Sequence, residues 1–176
     1  MSRDVQRAKV YAAEAFVRTM FDRAAERGDP VVEFFGTRLT LPPEARFGSV
    51  GSVQNYVDDV LAHPAVRARW PAVTPLRVRA RRGATAAHYE RVGGQERSDP
   101  GNRHGDTATI AVPEDRSAWA LRELVVLHEV AHHLCGGGGP AHGPDFVATF
   151  CALAETVMGA EAGHVLRVVY AKEGVR

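Results

Sequence analysis

The chain has 176 residues, of which 45% are hydrophobic and 24% are charged, and its formal net charge is +1. These values are close to the average of folded proteins, which excludes a wholly disordered chain, and the small net charge excludes a strong overall attraction for polyanions. One domain over residues 1–176 is expected, because domains usually contain about 100 to 150 residues.

The first part of the chain predicts a helix, a strand and a second helix. Apolar residues recur at helical spacing over 4–27, and the Gly-Asp-Pro sequence at 28–30 would end that helix. The segment 31–41 is rich in β-branched and aromatic residues, so it is predicted to be one strand. A short helix over 53–62 follows, with Ser52 as its N-cap.

The second part predicts three strands and then a long helix. Residues 76–81 alternate apolar side chains with arginine, and 86–92 form another extended run, so these two strands are expected to pair. The polar segment 93–106 is predicted to be a loop, and 107–112 is a third strand closed by proline. That strand leads into the longest helical pattern of the chain, for which Asp115 or Ser117 is a candidate cap.

Cysteine usage and the N-terminal sequence both bear on location. Cys135 and Cys151 form neither a Cys-x-x-Cys pair nor a secreted disulfide framework. The charged N-terminal sequence contains no apolar stretch long enough for a signal peptide or a membrane span. We therefore expect a cytoplasmic protein without a membrane partner.

The longest helical pattern carries a His-Glu-x-x-His sequence, in which His128 and His132 are one turn apart. With a rise of about 1.5 Å per residue, both imidazoles lie on one face and can bind the same ion. Zinc takes nitrogen ligands in tetrahedral geometry, so Zn²⁺ is the predicted cofactor. Glu129 lies about 100° further around the helix, where its carboxylate could act as general acid/base on a zinc-activated water.

The alternative interpretation is that the motif occurs by chance and that both histidines are core residues. They share their helix face with Leu121, Leu124 and Val125. Two histidines and a glutamate in an apolar environment would be costly without a metal ion to pair them. This cost favours a metal site.

A catalytic zinc has a third protein ligand and keeps a fourth position open. Four glycines at 136–139 and Pro140 predict that the helix ends and that the chain returns tightly before His142. Such a return would bring His142 beneath His128 and His132. Glu155, on the following helix, is the competing third ligand.

Further residues are candidates for supporting roles, with packing or solvent exposure as the alternative for each. Donors to a developing oxyanion could be Tyr89, Tyr170, His88 and His164. Carboxylates that could hold a metal-binding imidazole in place are Asp145, Glu123 and, preferred among them, Glu155. His133 lies on another side of the helix and is expected to be exposed or to support a ligand. Cys135, near the helix end, is expected to be a core residue.

An arginine-rich segment between residues 67 and 82 contains no acidic residue. Together with Trp70 it could bind phosphates and stack a base, which would make nucleic acid a partner. The alternation over 76–81 favours instead the solvated face of a strand. A peptide or protein substrate is the preferred partner.

The sequence His128-Glu129-Val130-Ala131-His132, followed by His142-Gly143-Pro144-Asp145-Phe146, resembles the active-site segment of SprT-like zinc metallopeptidases. That family includes the Spartan proteases, which degrade proteins crosslinked to DNA. The specific match covers about residues 107–150. Over more of its length the chain is similar to a group of small actinobacterial metallohydrolases without a firm substrate.

The resemblance implies an α+β, zincin-like fold with a small, mostly antiparallel sheet. The sheet would pack with the motif helix, a following C-terminal helix and an N-terminal helix. It also implies that His128, His132 and His142 bind zinc and that Glu129 is the catalytic acid/base. Many SprT-like proteins have a C-terminal zinc ribbon, but this chain lacks the cysteine pairs for one. DNA targeting is therefore not implied.

The expected function is a zinc-dependent metallohydrolase, with peptide bonds as the preferred substrate. The alternative is a zinc-containing regulatory or nucleic-acid-associated module without turnover. Hydrolysis of a non-peptide amide is a third hypothesis.

Overall fold

The computed structural model describes residues 4–72, 74–82, 86–92, 107–113, 121–136 and 139–176. Within these ranges the chain is α+β, as predicted. The predicted loop 93–106 and the predicted caps Asp115 and Ser117 lie outside the described residues. In chain order the elements are α1 (Arg7–Arg27), β1 (Val31–Phe34), β2 (Thr37–Thr40), α2 (Val50–Ala62), α3 (Pro64–Arg69), β3 (Leu76–Arg81), β4 (His88–Val92), β5 (Thr107–Pro113), α4 (Glu123–Leu134), α5 (Pro144–Met158) and α6 (Ala160–Lys172).

The chain divides into two compact units, one formed by Met1–Ala45 with Cys135–Arg176 and the other by Arg46–Leu134. The prediction of a single domain over the whole chain stays a prediction. None of the helices within the described ranges combines the length and the apolar character needed to cross a lipid bilayer. Both cysteines are free thiols, and burial raises the pKa of Cys151 to about 12.

In the first unit, α6 packs against both α1 and α5. Helix α1 begins at Arg7 rather than at residue 4, and it ends at Gly28, whose left-handed backbone lets its N–H reach Ala24 and Ala25 carbonyls. The single C-terminal helix that was predicted is instead two helices. They separate at Gly159, where a φ of 116° suits glycine alone.

The predicted strand over 31–41 is also wrong, since it is a hairpin of β1 and β2. The strands pair antiparallel, with Phe34 opposite Thr37, so only Phe35 and Gly36 form the turn. Both turn residues have positive φ, 46° and 82°. This is the backbone of a two-residue turn whose twist matches that of the strands, and Gly36 was the signal for it.

The second unit contains a three-stranded mixed sheet in the order β3-β5-β4. Strand β5 pairs parallel with β3 and antiparallel with β4. The prediction that 76–81 pairs with 86–92 is therefore wrong, and so is a mostly antiparallel arrangement for this sheet. Strand β5 is almost wholly apolar and buried, so it takes the centre, while the charged strands occupy the edges.

Helix α2 lies against β3 and supports its outer edge. It begins earlier than predicted, because Ser49 is the N-cap; Ser49 and Ser52 exchange hydrogen bonds in a capping box. The Gln54 side chain makes hydrogen bonds to the backbone of β3, as a neighbouring strand would. Its Oε1 accepts the Val78 N–H at 2.6 Å, and its Nε2 donates to the Leu76 carbonyl at 3.0 Å.

The crossing of α5 and α6 depends on the absence of a side chain at Gly163. A Cβ at this position would lie 2.6 Å from the Cβ of Glu155 and 3.1 Å from the Cys151 carbonyl oxygen. These atoms belong to the helix body and cannot move aside as the end of a flexible side chain would.

Gly163→Ala is therefore expected to lower the free energy of unfolding by about 1–3 kcal/mol, as overpacking usually does. The clash would outweigh the better helix propensity of alanine, which is worth about 0.5–1 kcal/mol. Urea unfolding followed by circular dichroism measures the change. Gly51→Ala in α2 is the control, because the atom closest to its added Cβ would be the Ser49 hydroxyl oxygen, 3.8 Å away. Equal effects of the two substitutions would contradict the close crossing.

Candidate metal centre

Helix α4 brings the first two histidines together within an apolar environment. Residues 123–131 of this helix are all buried, and His132 is partly buried. The Nε2 atoms of His128 and His132 are 3.1 Å apart, and the two rings are almost perpendicular. One helical turn therefore directs two ring nitrogens at a common point, as the spacing predicts.

This separation fits a shared metal ion. Two nitrogens bound to zinc at about 2.05 Å in tetrahedral geometry lie about 3.3 Å apart. Without a cation, one of the two imidazoles has to carry a proton on Nε2 and donate it to the other. With a cation, both lone pairs can serve as ligands.

The return of the chain after α4 delivers His142. Gly136, with a φ of 72°, follows the end of the helix. Residues 140–143 then form a turn in which the Gly143 N–H donates to the Pro140 carbonyl at 2.9 Å. Gly143 and Pro144 start α5 immediately afterwards. His142 thus lies in the turn just before α5, while residues 137 and 138 of the predicted return lie outside the described residues.

The candidate ligand atoms of His128, His132 and His142 all lie within 4.8 Å of one another. These three histidines are positioned to hold a metal ion. Their imidazole donors suit zinc, copper, iron or nickel rather than magnesium or calcium. The competing ligand Glu155 forms an ion pair with Arg167 instead, and both side chains are nearly half exposed.

Glu129 is 6% exposed and is held by the backbone of the neighbouring strand. Its Oε2 accepts the Tyr89 N–H at 2.7 Å. Because Tyr89 lies on β4, a main-chain group of the sheet restricts the orientation of the carboxylate that follows the first histidine. The sequence did not predict this contact, since it joins a strand and a helix 40 positions apart.

His133 is buried, which excludes an exposed side chain and leaves the other expectation, support of a ligand. Its Nε2–H donates to the Thr74 carbonyl at 2.8 Å, and its Nδ1 accepts the Tyr89 hydroxyl at 3.2 Å. Burial lowers the pKa of His133 and favours the neutral ring. The Tyr89 ring also lies nearly parallel to that of His132, with centroids 6.3 Å apart. His133 and Tyr89 therefore form part of the packing behind a candidate ligand.

The other residues predicted to have supporting roles either have hydrogen-bond partners elsewhere or are exposed. The Tyr170 hydroxyl donates to buried Glu14 at 2.7 Å, and burial raises the pKa of Tyr170. Glu123 accepts the Tyr56 hydroxyl at 2.5 Å. The remaining candidates are exposed, namely His88, His164 and Asp145, and Cys135 is only partly buried.

Sequence reasoning missed Asp4, whose Oδ2 is 2.6 Å from the Nδ1 of His142. The two residues are 138 positions apart, and a single aspartate near the start of a helical pattern carries no periodic or motif signal. Only the packed structure reveals this contact.

Wild-type protein loaded with zinc is expected to hold about one ion per chain, and His142→Ala is expected to bind zinc about 100- to 1,000-fold more weakly. The estimate follows because a zinc-binding energy of about 10–16 kcal/mol is shared among roughly four ligands. Elemental analysis and competition with a chromophoric chelator measure stoichiometry and affinity. His164→Ala removes an exposed histidine and serves as the control. Unchanged affinity in His142→Ala would exclude His142 as a ligand.

The chain and its fold were compared with known protein-family models, curated proteins and solved structures. None of the three comparisons gives a match to this chain. The resemblance to SprT-like metallopeptidases stays a prediction based on the two motif segments. The site itself must therefore support any assignment of function.

Proposed function

We propose that this protein is a zinc-dependent metallohydrolase that cleaves peptide bonds, with Glu129 as its general acid/base. The observation that carries the proposal is the cluster of three imidazoles whose ligand atoms lie within 4.8 Å of one another. Glu129 directly follows one of these ligands in a buried stretch of helix. Three protein ligands leave a fourth position of a tetrahedral zinc open, as in catalytic sites.

Bound zinc would supply a Lewis acid and would lower the pKa of a water molecule toward about 7. The role of Glu129 is proton transfer. Its carboxylate accepts a proton as the water oxygen forms a bond to the carbonyl carbon of the substrate. It then returns that proton to the amide nitrogen as the carbon–nitrogen bond breaks, so water is divided between the two products.

The Tyr89 N–H supports this role because it restricts the carboxylate at the Oε2 atom. A base that is already oriented loses less conformational freedom when the substrate reacts. The buried surroundings of Glu129 also strengthen its electrostatic interaction with charge that develops nearby.

A peptide substrate is favoured by the position of β4 at an edge of its sheet. Strand β4 pairs with β5 on one side, and no strand pairs with its other side in the described part of the chain. The Tyr89 N–H points to that other side, toward Glu129. An extended peptide can pair with such an edge through main-chain hydrogen bonds.

Glu129→Gln is expected to retain zinc and to lower peptide hydrolysis by about 10²- to 10⁴-fold, because the amide cannot accept the proton. Cleavage of a diverse peptide library, followed by mass spectrometry, measures activity, and elemental analysis measures zinc. Glu90→Gln on β4 is the matched control, since Glu90 pairs with Arg79 in an exposed ion pair. Loss of zinc in Glu129→Gln would contradict the acid/base role. Activity confined to a panel of small amides would replace peptide with a non-peptide substrate.

The second candidate function is a zinc-containing module that binds nucleic acid without turnover. The observation that favours it is the exposed row of Arg77, Arg79 and Arg81 on one side of β3. Guanidinium groups bind phosphates well. The Arg79 guanidinium, however, donates to Glu90 at 2.7 Å, which partly neutralises the row and lowers the pKa of Glu90.

If this second function holds, the double variant Arg77→Ala, Arg81→Ala is expected to weaken DNA binding for all sequences. The slope of log affinity against log salt should fall by about one for each phosphate that an arginine no longer neutralises. Fluorescence anisotropy with a labelled duplex at several salt concentrations measures both quantities. Binding that depends on neither arginine would remove the basis for this candidate.

A further inference from the structure

We propose that Asp4 is a positioning residue for the metal-binding imidazole of His142. Its carboxylate accepts the Nδ1–H of His142 at 2.6 Å and thereby keeps the proton on Nδ1. The Nε2 atom then carries no proton, and its lone pair can bind the metal ion. This inference rests on the proposed metal site and adds to it a residue from the opposite end of the sequence.

The surroundings of His142 restrict the ring in the same orientation. His142 is 5% exposed. The rings of Tyr11 and Phe146 both contact the imidazole edge-to-face, with centroids 5.1 Å away. Aromatic packing of this kind limits rotation of the ring, while the carboxylate selects which nitrogen carries the proton.

The environment of the Asp4 carboxylate points to a charged partner beyond a neutral imidazole. Its Oδ1 is buried and has no hydrogen-bond partner among the described residues. Burying a carboxylate oxygen in this way is costly when the group faces only a neutral ring. A metal cation bound to the far side of that ring would offset the cost, because it polarises the Nδ1–H and strengthens the hydrogen bond to the carboxylate.

The segment that carries Asp4 is anchored independently. The Gln6 side chain donates from Nε2 to the Arg176 carbonyl at 2.7 Å and accepts the Arg176 N–H at 2.6 Å. The same Nε2 is 3.4 Å from the His142 carbonyl. The Gln6 side-chain amide thus makes two hydrogen bonds to the backbone of Arg176, next to the start of α1. The aspartate therefore lies two positions before a side chain that these hydrogen bonds hold.

The test is metal affinity measured without any substrate. Apo protein is titrated with Zn²⁺ against a chromophoric chelator and with Co²⁺, whose visible absorption reports the ligand geometry. Asp4→Ala is expected to bind Zn²⁺ about 10- to 100-fold more weakly than wild type, as loss of a partner to a metal-bound histidine typically does. Asp4→Asn keeps an acceptor oxygen but loses the charge, so its affinity should lie between the two.

Asp145→Ala is the matched control, because it removes an exposed carboxylate three positions after His142. Thermal unfolding of each apo protein separates a local effect from general loss of folding. Wild-type binding of Zn²⁺ with unchanged affinity in Asp4→Ala would overturn the role of Asp4 and leave the three-histidine site intact. Absence of Zn²⁺ binding in the wild type would overturn the proposed function itself. A weakening in Asp145→Ala equal to that in Asp4→Ala would also overturn the inference.

Discussion

The Nε2 atoms of His128 and His132 are only 3.1 Å apart, and this short distance determines what can occupy the space that they face. Two ring nitrogens with their lone pairs toward one point repel each other unless a proton or a cation lies between them. Their helix is buried along almost its whole length, so water cannot relieve this repulsion easily. The carboxylate of Asp4, 2.6 Å from the Nδ1 of His142, places a negative charge beside a third imidazole. Such an arrangement favours binding of a cation.

The contacts that follow from local periodicity could be predicted from the sequence. The spacing of His128 and His132 on one helix face depends only on the helical repeat. The approach of His142 follows from glycines and prolines that allow only a short return. Pairing of strands depends instead on which segment is most apolar, so β5 separates β3 from β4 although the latter two are neighbours in sequence.

Contacts between distant segments could not be predicted in this way. Asp4 lies beside His142, and the Tyr89 N–H lies beside Glu129, because elements far apart in sequence pack together. Neither contact leaves a pattern in composition or spacing. The turn at Phe35 and Gly36 is a different case, since its glycine was visible. A run of β-branched and aromatic residues concealed it, because the same composition is found in one long strand and in two short ones.

The two hydrogen bonds of His133 have a consequence for the magnetic properties of the imidazoles. A carbonyl can only accept, so the contact with Thr74 places the His133 proton on Nε2. In His142, the carboxylate of Asp4 places the ring proton on Nδ1. In ¹⁵N-labelled protein, the shift of a protonated ring nitrogen therefore belongs to Nε2 in His133 and to Nδ1 in His142. The two rings can therefore be told apart once each shift is assigned to Nδ1 or Nε2. Both ring nitrogens of His133 have hydrogen-bond partners, so the adjacent His132 is the one of the two that could bind a metal ion.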